Sequence, residues 1–266
     1  MLHHTTTGTR QNPPLLLLHG FLGSHTDFLY LLPNLSKHFY CIAVDLPGHG
    51  QTNTELGSYT FTRTAQAVIH LLDRLNVRRT HVLGYSMGGR VALYLACEFR
   101  DRITSLILES ASPGLKTAAE RTQRQQQDDL TALHLLKVSL PNFIAQWYDN
   151  PLFTDLKQHP DIFAAMVQRR LQNRPEELSR ALCGLSLGRQ PSLWQRISWS
   201  GIPLLIVVGA LDTKFVAIGN ELFEYCQQNS QQATFSVFER CGHNIHLVAP
   251  NAYINCVVKF IHQLRQ

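Results

Sequence analysis

One serine most strongly limits the folds that this chain can adopt. It lies between two glycines, at the point where an apolar run is followed by a helical pattern. Residues 84–88 read Gly-Tyr-Ser-Met-Gly, and Gly84 is the last residue of an apolar run at 81–84. The next residues, 89–99, carry apolar side chains at helical spacing. A strand that turns this sharply into a helix needs small flanking residues, and it lifts one side chain clear of the backbone. The pattern therefore predicts that Ser86 is presented where a nucleophile or a base is useful.

Short apolar runs bounded by turn residues recur along the chain and predict buried strands. They cover residues 15–18, 40–44, 81–84, 103–108, 203–208 and 234–238. Helical patterns lie among them at residues 62–75, 89–99, 217–227 and 252–264. This alternation predicts an α/β fold with a mostly parallel sheet and helices on both faces. At most one or two edge strands fit before Leu15.

The alternation stops between Ser112 and Ser200, where helical periodicity continues without a convincing strand. We therefore predict a helical cap at residues 113–200. The cap interrupts a core made of residues 1–112 and 201–266.

Composition and charge narrow the class of protein. The 266 residues are 44% hydrophobic, which is ample for a buried core. No apolar run approaches the roughly 20 residues of a membrane span, and no signal-peptide pattern opens the sequence, so we expect a cytoplasmic protein. The six cysteines are scattered without a C-x-x-C pair, which disfavours a disulfide framework and a metal site.

The formal net charge of +5 is compatible with either a nucleic acid or a small anionic substrate. No basic run with interleaved aromatic residues is present, so we expect no nucleic-acid partner. The oligomeric state has no signature in the sequence.

Gly-x-Ser-x-Gly between a strand and a helix is the nucleophile elbow of the α/β-hydrolase fold. In that fold an acid and then a histidine follow the serine along the chain. Asp212 follows the run at 203–208, and His243 follows the last predicted strand. We therefore predict Ser86, Asp212 and His243 as a catalytic triad. The alternative is a serine that merely caps a helix.

Other titratable residues compete for these roles. His246 is predicted to lie at the start of the next helix, and a metal pair with His243 is disfavoured because no third ligand is near in sequence. His19 and His49 follow strand ends but precede the serine. Asp45 also ends a strand, within a turn-forming stretch, and is predicted to fix its loop.

Backbone donors for a developing oxyanion are predicted from position alone. Residues 19–23 read His-Gly-Phe-Leu-Gly and follow the first long apolar run. In the α/β-hydrolase fold the N–H groups after this glycine and after the nucleophile form the oxyanion hole, which points to Phe21 and Met87. A plain turn is the alternative explanation of the glycines.

Several longer motifs resemble the MenH family, the 2-succinyl-6-hydroxy-2,4-cyclohexadiene-1-carboxylate synthases. They are GYSMGGR at 84–90, ESASPGL at 109–115, Trp-Tyr at 147–148 followed by Pro151, QPSLW at 190–194 and DTKF at 212–215. The resemblance covers nearly the whole chain, including the predicted cap. The arginine after the elbow and the ESASPG stretch are more specific than the elbow itself.

The resemblance implies a lyase of menaquinone or phylloquinone biosynthesis. Such an enzyme eliminates pyruvate from 2-succinyl-5-enolpyruvyl-6-hydroxy-3-cyclohexene-1-carboxylate. The resemblance implies that Ser86, activated by His243, removes a proton alpha to the succinyl ketone, and that no metal or organic cofactor takes part.

The implied substrate carries three carboxylates, which arginines bind well. The resemblance points to Arg90, Arg124 and Arg170 as the substrate-binding arginines. Arg121 remains an alternative to Arg124, and Arg169 remains an alternative to Arg170.

The resemblance also implies that Tyr85 and Trp147 pack against the substrate ring, although both would suit a core. One departure from the family is Val248, where many relatives carry a glutamate. Because this position lies beyond the predicted triad histidine, we expect it to change helix packing rather than chemistry.

Two other functions use the same residues. A carboxylic-ester or C–C-bond hydrolase needs the triad but no cluster of arginines. A non-enzymatic ligand receptor would keep the pocket with little or no turnover.

Overall fold

The computed structural model describes residues 1–53, 59–198 and 200–264 and is built on one seven-stranded sheet. The strand order is β1-β3-β2-β4-β5-β6-β7, and each neighbouring pair is parallel except β1 with β3. The strands are β1 (His4–Thr7), β2 (Pro14–Leu18), β3 (Tyr40–Val44), β4 (Thr80–Tyr85), β5 (Ile103–Glu109), β6 (Leu204–Gly209) and β7 (Ala233–Phe238).

The helices divide between the core and the segment that joins β5 to β6. The core helices are α1 (Leu32–Leu35), α2 (Phe61–Arg74), α3 (Met87–Glu98), α10 (Thr213–Gln228), α11 (Ile245–Val248) and α12 (Pro250–Gln263). The joining segment holds α4 (Ala118–Lys137), α5 (Leu140–Tyr148), α6 (Thr154–Lys157), α7 (Pro160–Arg170), α8 (Pro175–Gly184) and α9 (Trp194–Ser198). None of the helices within the described ranges has both the length and the apolar character needed to cross a bilayer.

The predicted fold class is confirmed, and each predicted strand forms with its ends shifted by no more than one residue. The largest difference is at α10, which begins at Thr213 rather than at residue 217. Asp212 explains the earlier start, because its Oδ1 accepts a hydrogen bond from the Phe215 N–H at 3.3 Å and so caps the helix.

The strands are apolar along their whole length because both faces of the sheet are covered. Leu16 and Leu18 face an apolar cluster with α2, α3 and α10, while Leu15 and Leu17 face a second cluster with α1 and α12. The alternation follows from the two-residue period of a strand. It explains why the runs read as continuous rather than alternating.

The segment between β5 and β6 forms an apolar cluster of its own. Phe143, Ile144 and Met166 pack there with Leu22, from a loop of the core, and with Leu247, from α11. No strand occurs in this segment among the described residues, and Trp199 lies outside them. The segment is continuous with the core at its base, and we interpret it as the predicted cap.

The elbow depends on a close approach between α3 and β2. A Cβ atom added to Gly88 would lie 2.2 Å from the carbonyl oxygen of Leu18, and one added to Gly84 would lie 2.6 Å from the carbonyl oxygen of Gly88. Side chains at these positions would push the helix away from the sheet. The glycines therefore fix where the helix begins, and with it the position of Ser86.

Replacing Gly88 with alanine should destabilise the fold by about 3 kcal/mol or more, because the new methyl group meets backbone atoms that cannot move aside. Gly219→Ala is a matched control within α10, since its Cβ would meet only side-chain carbons, at 2.8 Å or more. We expect the control to lower the free energy of unfolding by less than about 1 kcal/mol, because alanine also has the higher helix propensity. Urea unfolding of the two variants measures both, and equal losses would contradict the proposed close approach.

Candidate active site

The structure brings together the three residues predicted as a triad. His243 Nε2 lies 3.1 Å from Ser86 Oγ, and His243 Nδ1 lies 2.6 Å from Asp212 Oδ2. Asp212 and His243 are buried, whereas Ser86 is partly exposed. A neutral imidazole in this arrangement donates from Nδ1 to the carboxylate and presents Nε2 as an acceptor to the serine hydroxyl.

Ser86 stands on a strained turn. Its φ of 50° and ψ of −110° lie in a region that non-glycine residues rarely occupy. The turn is held because the Ser86 N–H donates to the carbonyl oxygen of Glu109 at 2.9 Å. The hydroxyl consequently projects at the N-terminus of α3, where helix N–H groups favour negative charge.

Two free backbone donors lie beside the serine. A Cβ on Gly20 would come within 3.5 Å of the Ser86 Cβ, so the loop after β2 passes directly over the elbow. Within the described residues, the N–H groups of Phe21 and Met87 have no acceptor in the protein. They are suitable donors to an oxyanion next to Ser86.

The loop that carries His243 is tied to the cap by Asp155. The Gly242 N–H donates to Asp155 Oδ2 at 2.7 Å, and Asp155 is buried in α6. The rings of Phe153 and Phe215 pack against the imidazole with centroid distances of 5.9 and 4.8 Å. The cap therefore contributes to the position of the imidazole as well as covering the site.

Arg90 in α3 and Arg124 in α4 are close enough for each charge to influence the other. Arg90 Nη1 donates to the carbonyl oxygen of Leu185 at 2.7 Å, and Arg124 Nε donates to Asp128 Oδ1 at 2.8 Å. Burial lowers the pKa of Arg90 to about 10, with a further decrease from nearby Arg124 that Asp128 opposes. Arg90 remains a cation at neutral pH although its environment is poorly solvated.

Arg121, the alternative to Arg124 as a substrate ligand, forms different hydrogen bonds. Its Nη1 donates to the carbonyl oxygens of Leu115 and Lys116 at 3.2 and 3.3 Å. These contacts hold the chain that leads into α4. Arg121 therefore supports the base of the cap, and Arg124 is the one that approaches Arg90.

Arg170 differs from the expectation of a substrate-facing cation. It is 1% exposed, and its guanidinium donates to both carboxylate oxygens of Asp27 and, from Nε, to the Tyr148 hydroxyl at 3.1 Å. Burial alone would raise the pKa of Asp27, but Arg170 holds that pKa below its usual value. The sequence pattern did not reveal this carboxylate partner, and contact of Arg170 with a substrate stays a prediction. Arg169, the alternative, lies 3.9 Å from Asp27 Oδ1 and over the ring of Tyr30.

Tyr85 and Trp147, the two residues expected to pack against the substrate ring, lie at different depths. Tyr85 is buried, and its hydroxyl accepts a hydrogen bond from Asn244 Nδ2 at 2.7 Å, so it packs beneath the site. Trp147 is partly exposed, and its ring lies 4.9 Å from that of Phe21. Trp147 is therefore the better placed of the two to contact a ligand above the oxyanion loop.

Asp45 fixes its loop, as the sequence suggested. Oδ1 accepts from the His25 N–H and lies 2.8 Å from His25 Nδ1, while Oδ2 accepts from the Gln51 N–H and lies 2.9 Å from His3 Nδ1. Burial raises the pKa of Asp45, and the hydrogen bonds from His25 and Gln51 more than reverse that effect. Among the described residues, His3, His25 and Asp45 also bring ligand atoms close enough together for a metal ion, and here both imidazoles contact the carboxylate.

His246 pairs with a glutamate at the end of β5. Its Nδ1 lies 2.8 Å from Glu109 Oε1, and its N–H donates to the same oxygen at 3.1 Å. Both side chains are fully buried. The contact joins α11 to the end of β5, directly behind the elbow.

His19 and His49 are neutral groups beneath the oxyanion loop. Burial lowers the pKa of His49 to about 3 and lowers that of His19. His19 Nε2 accepts from the Leu46 N–H at 2.9 Å, which links two loops at the carboxyl edge of the sheet. His49 Nδ1 lies 3.1 Å from the carbonyl oxygen of Pro47, within its own turn.

Sequence reasoning missed the residues that connect cap and core. Asp27, Asp155 and Asn173 carry no motif, and their partners are more than 80 residues away along the chain. Asn173 donates to the carbonyl oxygen of Leu22 at 2.8 Å and accepts from the Gly50 N–H at 2.9 Å. Only a comparison of many related sequences could have signalled such pairs.

Known proteins resemble the chain over almost its whole length. A sequence model of the alpha/beta hydrolase fold family matches residues 13–250. A putative 2-succinyl-6-hydroxy-2,4-cyclohexadiene-1-carboxylate synthase of Bacillus subtilis is 32% identical over 257 residues, which are 96% of this chain and 92% of that protein.

Two solved structures superpose closely. MenH from S. aureus has a TM-score of 0.92 at 29% identity and covers 100% of this chain and 99% of its own. A thermophilic esterase from Thermogutta terrifontis has a TM-score of 0.86 at 25% identity and covers 100% of this chain and 94% of its own. The architecture is therefore common to enzymes named for different reactions.

Replacing Asp155 with alanine should slow the reaction of Ser86 with a fluorophosphonate about tenfold or more. The change frees the Gly242 N–H, and a small displacement of a positioned catalytic group is costly in rate. Asp155→Asn keeps an acceptor oxygen and should recover most of the rate. The control is Asp149→Ala, which removes an exposed carboxylate from the same segment. Equal labelling rates for Asp155→Ala and wild type would exclude the coupling.

Stability should fall as the pH decreases from 7 to 5, because His49 stays neutral in the folded chain. Its folded pKa is about 3, so between pH 6.5 and 3 only the unfolded chain binds a proton there. The unfolded state then holds more protons, and the free energy of unfolding decreases with falling pH. His49→Gln should reduce this loss by about 2 kcal/mol between pH 7 and 5. His70→Gln, at an exposed site on α2, should leave the slope unchanged. Urea unfolding at several pH values tests both.

Proposed function

The chain belongs to the 2-succinyl-6-hydroxy-2,4-cyclohexadiene-1-carboxylate synthase (MenH) family of the alpha/beta hydrolase fold, and we propose that it catalyses the lyase reaction for which that family is named. The substrate is 2-succinyl-5-enolpyruvyl-6-hydroxy-3-cyclohexene-1-carboxylate. The products are pyruvate and 2-succinyl-6-hydroxy-2,4-cyclohexadiene-1-carboxylate, an intermediate of menaquinone and phylloquinone biosynthesis.

The change from a 3-ene to a 2,4-diene defines which bonds move. A base removes the proton at ring C2, alpha to the succinyl ketone, and the electron pair enters the ketone as an enolate. When the enolate collapses, the C2–C3 double bond forms, the C3–C4 double bond shifts to C4–C5, and the C5–O bond breaks. The leaving enolpyruvate takes a proton and becomes pyruvate.

Ser86 is the proposed base, assisted by His243 and Asp212. His243 Nε2 takes the hydroxyl proton while Ser86 Oγ takes the proton from carbon, so the imidazole becomes cationic. Asp212 stabilises that cation and fixes its Nδ1–H. The imidazolium then supplies a proton to the departing enolpyruvate through Ser86, which restores the starting state.

The N–H groups of Phe21 and Met87 are the proposed donors to the enolate oxygen. Within the described residues both lack a protein acceptor, and they flank Ser86. Fixed donors stabilise charge that appears only during the reaction, which lowers the barrier rather than merely tightening binding.

Arg90 and Arg124 are the proposed ligands of the substrate carboxylates, and Trp147 is the proposed contact for its ring. For Arg170 we propose a structural role instead of the contact with a substrate carboxylate that the sequence suggested. Because its guanidinium is already engaged by Asp27, we propose that it positions α7 against the core. Tyr85 supports the imidazole from below, with its ring centroid 5.4 Å from that of His243.

The observation that carries the proposal is the state of Arg90. Arg90 lies one helical turn after Ser86, and its guanidinium is desolvated. Among the described residues, its side chain donates to a backbone carbonyl oxygen and forms no ion pair with a carboxylate. A desolvated cation is costly unless an anion compensates its charge, so a carboxylate of the substrate would be bound favourably beside Arg90. We further propose a small anion rather than a nucleic acid as ligand, and the cytoplasm as the compartment.

The test is pyruvate release from the enolpyruvyl substrate, with the spontaneous elimination subtracted. Ser86→Ala should lower kcat at least 100-fold, because it removes the base. Arg90→Gln should act mainly on KM, raising it about tenfold or more through loss of a charged contact. Arg180→Gln, on the exposed surface of α8, is the charge-matched control and should leave both constants within twofold. Failure of the wild type to accelerate release would refute the lyase.

A carboxylic-ester or C–C-bond hydrolase is the second candidate, and the likeness to the T. terrifontis esterase favours it. The same serine would then attack a carbonyl carbon and form an acyl-enzyme. Neutral aryl esters separate the two reactions, since a hydrolase would turn them over at rates typical of dedicated esterases and independently of Arg90.

A further inference from the structure

A basic cleft opens at the edge of the sheet opposite to the triad. It has a volume of about 450 Å³, and Arg78, Arg79 and Arg100 line it together with residues at the start of β5 and before β6. Arg79 immediately precedes β4, whereas Ser86 immediately follows it. The cleft and the triad therefore lie at opposite ends of one strand, about 20 Å apart.

The three guanidinium groups of the basic cleft lack acidic partners. Within the described ranges none of them forms an ion pair with a carboxylate, and the nearby Asp73 is occupied by Arg102 at 2.6 Å. Arg79 Nη2 donates to the backbone carbonyl oxygen of Ile103 at 3.1 Å, which holds it at the rim. Asp101 lines the cleft but leaves an excess of positive charge there. Like charges gathered without compensation create a strong local field for anions.

The walls of the basic cleft are held by backbone contacts. Arg102 Nε donates to the carbonyl oxygen of Arg78 at 2.8 Å, which fixes the loop before β4. On the other side Gly201 has a φ of +65°, and a Cβ there would lie 2.7 Å from Arg100 Nη2. The glycine thus leaves room for the Arg100 guanidinium beside the backbone. These contacts define the shape of the basic cleft.

We propose that the basic cleft binds a small molecule with two or more phosphate groups. Three planar guanidinium forks match phosphate oxygens, which accept paired hydrogen bonds and concentrate several charges within a few ångströms. A monocarboxylate could engage only one fork. The cavity volume lies within the range of ordinary small-molecule sites. The proposal does not depend on the reaction at Ser86.

Isothermal titration of the full chain with pyrophosphate, ATP and inorganic phosphate tests the site. Pyrophosphate and ATP should bind at one saturable site, more tightly than phosphate, and more weakly as salt increases. Arg78→Gln combined with Arg100→Gln should raise their Kd at least tenfold. Because both side chains are exposed, the variant should unfold at the same temperature as wild type and release pyruvate at the wild-type rate.

The control removes the same charge elsewhere, through Lys37→Gln combined with Arg180→Gln. Both residues are exposed and distant from the cleft in sequence. Equal weakening by the control would show non-specific attraction and overturn the proposal, as would absence of binding by pyrophosphate and ATP. Cleft-dependent binding of a 20-nucleotide RNA without binding of pyrophosphate would also overturn it, in favour of a nucleic-acid partner.

Discussion

The close contact between α3 and β2 at Gly88 determines the geometry of the site. The helix can approach the carbonyl oxygen of Leu18 only because no side chain intervenes. That approach sets the strained φ of Ser86, and it brings the loop containing Gly20 over the elbow. Met87 directly follows Ser86 at the start of this helix, and within the described residues the N–H groups of Phe21 and Met87 have no protein acceptor. A looser helix would separate these donors from the nucleophile.

The remaining components come from segments far apart in sequence. The ends of β6 and β7 bring Asp212 and His243 to the carboxyl edge of the sheet, where sites in open α/β sheets form. The segment between β5 and β6 then supplies Asp155, whose carboxylate accepts a hydrogen bond from the Gly242 N–H beside His243. The likeness to an esterase indicates that this architecture serves enzymes named for different reactions, so the reaction depends on the residues of the site rather than on the fold.

The features that could be predicted from the sequence are those that local residue patterns determine, namely the strands and the elbow. The strands of the sheet were found because residues buried on both faces read as uninterrupted apolar runs, and the elbow was found because Gly84 and Gly88 must be small. The positions of Ser86, Asp212 and His243 followed from chain order within that fold. The environment of Arg170 could not be predicted in the same way, since Asp27 lies 143 residues away. Tyr85 and Trp147 looked alike in sequence, and only packing separates a buried support from a residue near the opening.

The buried pair of Arg170 with Asp27 has a consequence for how members of this fold exchange parts. Removing one partner of a buried ion pair leaves an uncompensated charge, which costs several kcal/mol. A cap without an arginine at this position would leave the carboxylate of Asp27 buried and unpaired. Exchange of the cap between related proteins would therefore preserve this contact only if both residues of the pair were transferred.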